Sequence, residues 1–309
     1  MSALDLLAEH WNPEQATLLL AGGPHPGLHP GAVVQPHRRL RRALACDDYD
    51  NHSLWPQVLG CGTGNRRETR AYLELASRAC RPGGQILFCL EKRLGADSWQ
   101  KRLNPSLVVS RYHCKLMHPD PATIQGDGHP CRLAPPHPEA DFVSCPGLFS
   151  WDRLDPGSAL LARHLPAEMP GRGAEFGCGP GLLTRILLQR GADSLVAVDV
   201  DQRAVEACKR NNPVGQLTAL WLDVRDELAP GPFHWVVLNP PFHEHGQEAR
   251  ELGQQLVLRA VQGLMKGGEL WLVANRMLAY EELLSRAHGQ LEFRHIESGF
   301  KVLRWRRSA

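Results

Sequence analysis

The sequence lacks long apolar runs. Its apolar stretches are short, as in LVAVDV and ELWLVA, whereas a transmembrane helix needs about 20 apolar residues. The start, MSALDLLAEHWNPEQ, carries acidic side chains and lacks the basic and then apolar segments of a secretory signal. With 43% hydrophobic and 22% charged residues, the composition indicates a globular protein without a membrane span. We therefore expect a cytoplasmic protein.

Metal-like spacing of cysteine and histidine is also lacking. None of the nine cysteines forms a CxxC pair, and several lie in apolar or helical patterns, where free thiols act as small buried residues. We predict that they are reduced and structural. The fifteen histidines include HEH at residues 243–245 and PHPGLHP at residues 24–30. A third ligand at suitable spacing is missing, so no metal site is predicted.

A strong excess of basic charge is absent too. The net charge is +2, which does not indicate a strongly basic nucleic-acid binder. Basic residues do cluster, in HRRLRR at residues 37–42, in NRR at residues 65–67 and in VLRWRR near the C-terminus. Each cluster alone is more typical of a solvated surface. Together they leave RNA binding open.

The second half of the chain alternates between strand and helix patterns. Strands are predicted for GRGAEF, SLVAVD, LTALWLDV, HWVVL and ELWLVA, and helices for LLTRILLQRGA, QRAVEACKRNN and QEARELGQQLVLRAVQGLM. FRHIESG and FKVLRW predict a hairpin that turns at residues 298–299. Alternation of this kind implies a parallel sheet with helices on both faces. The predicted fold class is α/β, with the Rossmann-like architecture of class I methyltransferases.

An internal repeat extends this prediction to the first half. LNP at residues 238–240 and LWP at residues 54–56 are each followed, 27 positions after the proline, by a Gly-Gly pair and a strand pattern. One offset of 184 positions aligns both. We interpret this as a duplication, with two tandem methyltransferase domains at residues 1–140 and 141–309. Trp55 and Gln57 stand where the second copy has Asn239 and Pro241, so the N-terminal domain is predicted to be degenerate.

The glycine-rich stretch LGCGTG at residues 59–64 is not predicted to bind a cofactor. Such loops follow an unbroken strand and precede an acidic strand end by about 20 residues. Pro56 is expected to interrupt the preceding strand, and Pro82 stands 22 positions after Gly60 in place of an acid. By the repeat alignment, the stretch follows the position of the lost motif.

The stretch EFGCGPG carries the candidate cofactor site. It places the acid Glu175 before three alternate glycines, which allow a tight turn and close approach to a ligand; these are Gly177, Gly179 and Gly181. An acid suits the cationic cofactor S-adenosylmethionine better than a pyrophosphate. Asp199, 22 positions after Gly177, ends the second strand and can accept both ribose hydroxyls. Asp223 closes the third strand, within reach of the adenine amine. A dehydrogenase that binds NAD is the alternative, but it gives no role to the next motif.

That motif is NPPF, comprising Asn239, Pro240, Pro241 and Phe242. It follows the fourth strand, at the carboxyl edge where open α/β sheets bind ligands. The prolines hold the turn rigid. The Asn239 side-chain oxygen and the Pro240 carbonyl can accept both hydrogens of an exocyclic amine, which frees the nitrogen lone pair to attack a methyl group. Phe242 can stack on a planar base. We predict that these four residues are catalytic.

Five stretches resemble the bacterial ribosomal RNA guanine-N2 methyltransferases, the small-subunit branch more than the large-subunit one. They are GLFSWDRLDPGSALLARHLP, EFGCGPGLLT, LNPPFHEHG, GGELWLVANRMLAY and GFKVLRW. The resemblance covers residues 147–305 strongly and the first half loosely. It implies two tandem domains with a degenerate first one, and the cofactor and catalytic residues named above. It also implies that Phe149, Asp155 and Ser158 help to close the cofactor pocket.

The resemblance further implies methylation of a guanine N2 amine in ribosomal RNA, in 16S rather than 23S RNA. The expected partner is ribosomal RNA or a partly assembled subunit, and the expected state is a monomer. Two other functions stay open. A protein glutamine N5-methyltransferase also uses an NPP-type loop, although NPPY is more typical of that class. A non-catalytic RNA-binding assembly factor would be favoured had both copies lost NPPF.

Overall fold

The computed structural model describes residues 2–21, 28, 30, 32–35, 41, 47–48, 50, 52–134, 142–240 and 247–309. The chain forms two compact units. Met1–Arg132 and Cys145–Gly147 make the first, and Leu133–Ser144 and Leu148–Ala309 make the second. The predicted boundary at residues 140 and 141 lies outside the described residues and stays a prediction. No helix among those described is long and apolar enough to span a membrane.

The first unit is a seven-stranded sheet with helices. Its strands are β1 Thr17–Leu20, β2 Ala32–Val34, β3 Asp47–Asp48, β4 Trp55–Cys61, β5 Cys80–Glu91, β6 Leu107–Arg111 and β7 Cys114–His118. Its helices are α1 Ala3–Ala8, α2 Arg66–Ala79 and α3 Ala96–Leu103, with 3-10 turns at Lys92–Leu94 and Pro121–Thr123. The strand order is β3-β2-β1-β4-β5-β7-β6. β7 alone runs antiparallel to its neighbours in this sheet, β5 and β6.

The second unit has a sheet of the same kind. Its strands are β8 Arg172–Phe176, β9 Ser194–Asp199, β10 Leu217–Trp221, β11 Phe233–Leu238, β12 Leu264–Asn275, β13 Gly289–Glu297 and β14 Phe300–Arg307. Its helices are α4 Pro156–His164, α5 Leu182–Gln189, α6 Gln202–Asn211, α7 Gln247–Gly263 and α8 Tyr280–Ser285. The order β10-β9-β8-β11-β12-β14-β13 repeats that of the first sheet strand for strand. The predicted α/β class with two methyltransferase-like sheets is confirmed.

Sequence patterns account for the elements of the second unit. The central strand β11 is buried on both faces, as its continuous apolar run predicts, with Val236, Val237 and Leu238 fully shielded. Separate apolar clusters cover the two faces of the sheet. The hairpin between β13 and β14 turns where Ser298 and Gly299 both have positive φ, as predicted.

The pairing of strands corrects the predicted alignment of the two copies. In the first unit Gln57 pairs with Gln85, the residue after the Gly-Gly pair. In the second unit the equivalent pair is Trp235 and Glu269. Gln57 therefore corresponds to Trp235, an offset of 178 positions before the helix and 184 after it. The difference arises because, counted from the aligned positions 61 and 239, the second copy has three more residues before the helix and three more in the helix, 17 against 14.

With this register, a different stretch of the first unit corresponds to the NPPF motif of the second. Pro56 lies at the start of β4 and does not interrupt that strand, because a proline is tolerated at a strand's beginning. Cys61, and not Trp55, stands where the second copy has Asn239. LGCGTG therefore ends at the place of NPPF itself rather than after it. A Cβ on Gly60 would lie 2.6 Å from Phe88 and one on Gly62 2.0 Å from Leu90, so these glycines make room for core side chains.

Candidate active site

The glycine loop joins β8 to α5. Gly177, Gly179 and Gly181 all have positive φ, at 76°, 51° and 91°. Each of these positions therefore favours glycine over other residues. A Cβ on Gly177 or Gly179 would meet nothing within 4 Å, but one on Gly181 would lie 2.6 Å from the Asn212 amide nitrogen. The first two glycines thus leave open space for a ligand, and the third allows α5 to pack closely against the end of α6.

Glu175 lies beneath this loop and is only 2% exposed. The Thr184 hydroxyl of α5 donates a hydrogen bond to its Oε2. Burial raises the pKa of the Glu175 carboxyl well above its usual range, since the ionised form is poorly solvated there. A cationic group brought into the pocket would offset this penalty. The contact of Glu175 with the cofactor amine stays a prediction.

Asp199 ends β9 and connects to the same loop. Its Oδ2 accepts a hydrogen bond from the Gly179 N–H at 2.9 Å, and its Oδ1 accepts one from the Asp201 N–H at 2.9 Å. Burial is the main cause that raises the pKa of Asp199 to about 6. The carboxylate is therefore positioned by backbone amides at the edge where a second strand contacts a ribose in this kind of fold.

Asp223, two residues beyond β10, is 1% exposed. Its Oδ1 accepts hydrogen bonds from the Arg225 N–H at 3.0 Å and from Arg225 Nε at 2.8 Å. The ion pair raises the pKa of the Arg225 guanidinium. This carboxylate is thus engaged within its own turn, and its contact with an adenine amine stays a prediction.

Asn239 follows β11, and two groups fix its amide. Its Nδ2 donates to Asp155 Oδ2 at 3.0 Å and to Ser158 Oγ at 2.8 Å. Asp155 is also the N-cap of α4, because its Oδ2 accepts from the Ser158 N–H at 2.7 Å. Asn239 Oδ1 is buried and has no hydrogen-bond partner among the described residues. The structure therefore presents one unpaired acceptor with a fixed direction.

The predicted site residues mostly meet at one pocket. It is partly open to solvent, and its lining includes Glu175, Gly177, Gly179 and Asn239 together with Phe149, Asp155 and Ser158. Asp199, Gly181 and Asp223 do not line it. Asp199 and Gly181 belong to the loop's hydrogen-bond network, whereas Asp223 bonds within its own turn. Pro240 is buried beside Asn239. Pro241 and Phe242 lie outside the described residues, so their catalytic roles stay predictions.

Sequence reasoning missed three residues that brace the pocket. Thr184 holds Glu175 as described above. Asn211 Nδ2 donates to the Pro180 carbonyl at 2.8 Å, and Asn212 Nδ2 donates to the Gly181 carbonyl at 3.1 Å. The available signal was the Asn-Asn pair before Pro213, which predicts only the end of a helix. Its contacts with a loop 31 positions earlier are visible only in the fold.

The strand order, the glycine loop after β8 and the polar groups at the carboxyl ends of β8, β9 and β11 define a class I methyltransferase. The family model described as the methyltransferase small domain matches residues 139–304. The ribosomal RNA small subunit methyltransferase C of Pseudomonas aeruginosa is 38% identical over 258 residues, which cover 78% of this chain and 76% of that protein. The Pseudomonas entomophila protein of the same name is 32% identical over 250 residues, 77% and 75% of the two chains.

A solved structure gives the same picture of the fold. It is a 16S rRNA N2 methyltransferase from T. Thermophilus, in complex with AdoMet and guanosine, and it aligns with a TM-score of 0.78 at 24% identity. The alignment covers 98% of this chain and 91% of that one. The chain belongs to the methyltransferase small domain family and, within it, to the family of the ribosomal RNA small subunit methyltransferase C proteins.

Proposed function

We propose that this protein transfers a methyl group from S-adenosylmethionine to the exocyclic N2 amine of a guanine in 16S ribosomal RNA. The names of its relatives point to this substrate. The observation that carries the proposal is the buried, unpaired Oδ1 of Asn239 at the carboxyl end of β11. An acceptor of this kind suits an N–H donor, because a buried polar atom without a partner is costly.

The pocket residues fit the cofactor. S-adenosylmethionine supplies an activated methyl group on a sulfonium and also carries an amine and a ribose. Glu175 would hold the amine, since a cation compensates for its burial. Gly177 and Gly179 leave the open space that the cofactor needs. Asp199 would accept the ribose hydroxyls, and Asp223 is proposed for the adenine side.

The direction of the Asn239 amide is central to the chemistry. If the amide flipped, its oxygen would face the Asp155 carboxylate, and two acceptors would oppose each other. Hydrogen bonds to charged groups contribute about 1.5–3 kcal/mol, so the observed orientation is strongly favoured. Asn239 Oδ1 then accepts one N2 hydrogen of guanine, and the Pro240 carbonyl is proposed to accept the other. These bonds draw the nitrogen toward tetrahedral geometry and make its lone pair available.

No group with the role of a general base is required in this scheme. The amine becomes a cation on methylation and loses a proton readily afterwards, because its acidity rises when its lone pair is used. Phe242 is proposed to stack on the guanine after the base leaves its helix, a contact worth about 1–3 kcal/mol. Pro241 is proposed to keep the turn rigid.

We propose that the first unit binds RNA or supports the second unit and does not bind the cofactor. By strand register Leu19 stands at the place of Glu175, and Gln35 at the place of Asp199. Cys61 stands at the place of Asn239. Both acids and the acceptor amide are therefore missing. The proposed domains are residues 1–140 and 141–309. A monomer that acts in the cytoplasm on ribosomal RNA or a partly assembled small subunit completes the proposal.

The test is methylation with labelled S-adenosylmethionine of four separate substrates: naked 16S RNA, small ribosomal subunits, 23S RNA and cell protein. All should come from cells that lack this enzyme, so that the target is unmodified. We expect labelled N2-methylguanosine from 16S RNA or from the small subunit only. Labelled methylglutamine in protein would support the alternative methyltransferase. Binding of RNA with no methylation of any substrate would support an assembly factor.

A further inference from the structure

A cluster of metal-ligating side chains lies away from the active site. His164 ends α4, and His295 and Glu297 lie two positions apart on β13, on one face of the strand. The rings of His164 and His295 have their centroids 4.2 Å apart. His295 Nε2 lies 3.3 Å from Glu297 Oε2. One ligand atom from each of the three side chains lies within 4.8 Å of the other two.

These distances suit a tetrahedral metal ion. Zn²⁺ binds histidine nitrogen and carboxylate oxygen at about 2.0–2.2 Å, so neighbouring ligand atoms are about 3.3–3.5 Å apart. The pair formed by His295 and Glu297 already has this spacing. His164 needs a shift of no more than about 1.5 Å, which rotation of its side chain can provide. Two imidazoles and one carboxylate leave the fourth position for water.

A neighbouring arginine orients the carboxylate of the cluster. Arg163 Nη2 donates to Glu297 Oε1 at 2.5 Å, which orients the carboxylate and leaves Oε2 for a metal. Outer hydrogen bonds of this kind are typical of metal ligands. Phe293 packs beside both rings, at 5.5 Å from His164 and 6.4 Å from His295.

We propose that His164, His295 and Glu297 form a zinc site that ties the end of α4 to β13. The spacing of histidines and cysteines in the sequence predicts no metal site. It gives no signal for these ligands, because 131 positions separate the two histidines. The site would anchor one end of a helix whose other end holds Asn239 through Asp155 and Ser158. The nine-residue helix is about 13 Å long, so the bound metal would not contact the pocket itself.

The test uses full-length protein without a histidine tag, stripped with a chelator and dialysed. Titration calorimetry with ZnCl₂ should give saturable binding with one high-affinity site per chain, and MgCl₂ should give none, because imidazole ligands disfavour Mg²⁺. Co²⁺ in place of Zn²⁺ should show the visible absorption of a tetrahedral site. His295→Gln should weaken zinc binding at least tenfold. His288→Gln, an exposed histidine of the same unit, should leave it unchanged.

A second variant guards against misfolding. Glu297 is 41% exposed, so Glu297→Gln should fold normally and still lose zinc affinity at least tenfold. Thermal unfolding of each stripped variant, compared with the stripped parent, establishes that the fold is intact. Zinc should raise the melting temperature of the parent but not of His295→Gln or Glu297→Gln. Equal zinc affinity in the parent and both variants would overturn the proposal, as would absence of zinc binding by the parent.

Discussion

Replacing Asn239 by alanine should separate catalysis from cofactor binding. The substitution removes the buried Oδ1, the acceptor proposed for the target amine. One oriented polar group in a water-excluded site contributes about 2.7–4 kcal/mol to lowering the barrier, so kcat should fall about 10²–10³-fold. Affinity for S-adenosylmethionine should change little, because Glu175 and the glycine loop remain. Single-turnover methylation of small subunits measures the rate of methyl transfer, and calorimetry measures the affinity for S-adenosylmethionine.

The structure also predicts a second variant, Ser158→Ala, whose activity should decrease less than that of Asn239→Ala. Ser158→Ala removes one of two acceptors for Asn239 Nδ2 and leaves Asp155 in place. The loss of one neutral hydrogen bond costs about 0.5–1.5 kcal/mol, or roughly a 2–12-fold decrease in rate. Asn275→Ala is the matched control, since this exposed asparagine ends the neighbouring strand β12 and should keep nearly full activity.

Two results would refute the reasoning about Asn239. Full turnover in Asn239→Ala would remove the amide from the mechanism. Loss of folding together with loss of cofactor binding would show that the residue only ends its strand. Thermal unfolding of the variant therefore accompanies the kinetics. We expect a folded, inactive protein that still binds the cofactor.

Four further predictions concern the cofactor and the base. Asp199→Ala should weaken S-adenosylmethionine binding by about one to two decades, since charge-assisted bonds contribute roughly 1.5–3 kcal/mol; unchanged affinity by calorimetry would remove Asp199 from the site. The pKa of Asp199 is raised to about 6 in the folded protein, so the ionised form that binds the ribose predominates above that pH. Affinity for S-adenosylmethionine should therefore fall as the pH drops below 6. Asp199→Asn should lack this part of the pH profile. The full chain should bind one cofactor molecule by equilibrium dialysis, and a stoichiometry of two would contradict the loss of both acids at Leu19 and Gln35. Phe242→Ala should raise the RNA concentration needed for half-maximal rate while Phe242→Tyr is mild, and equal KM values in both variants would argue against stacking.

Local patterns were sufficient for much of the second unit. The apolar run before Asn239 predicts a buried strand. EFGCGPG predicts a tight turn, and positive φ values are observed at its three glycines, Gly177, Gly179 and Gly181. Both depend on neighbours in sequence. The contacts that orient the site do not: Asp155 and Asn239 are 84 positions apart. Nothing in either local pattern specifies that the N-cap of one helix also binds an amide at the end of a distant strand.

The alignment of the copies failed for a related reason. LWP and LNP look alike, but one begins β4 and the other spans the end of β11. Three extra loop residues and three extra helical ones in the second copy made the spacing to the Gly-Gly pair agree at the wrong register. Only hydrogen-bonded pairing, with Gln57 opposite Gln85 and Trp235 opposite Glu269, distinguishes the two cases. Residue spacing along the chain cannot distinguish a correct alignment of the two strands from one that is shifted by several residues.

The packing of Gly62 against Leu90 makes the decay of the first copy hard to reverse. Gly62 occupies the place of Pro240, and Leu90 the place of Ala274 in the neighbouring strand. A side chain at position 62 would lie 2.0 Å from Leu90 Cδ1, so a restored Asn-Pro sequence would collide with the core. Regaining the site would require Leu90 to move or to be replaced by a smaller residue, and the replacement by itself leaves a cavity and costs stability. Each single step back is thus unfavourable, which supports the proposal that this copy does not bind the methyl donor.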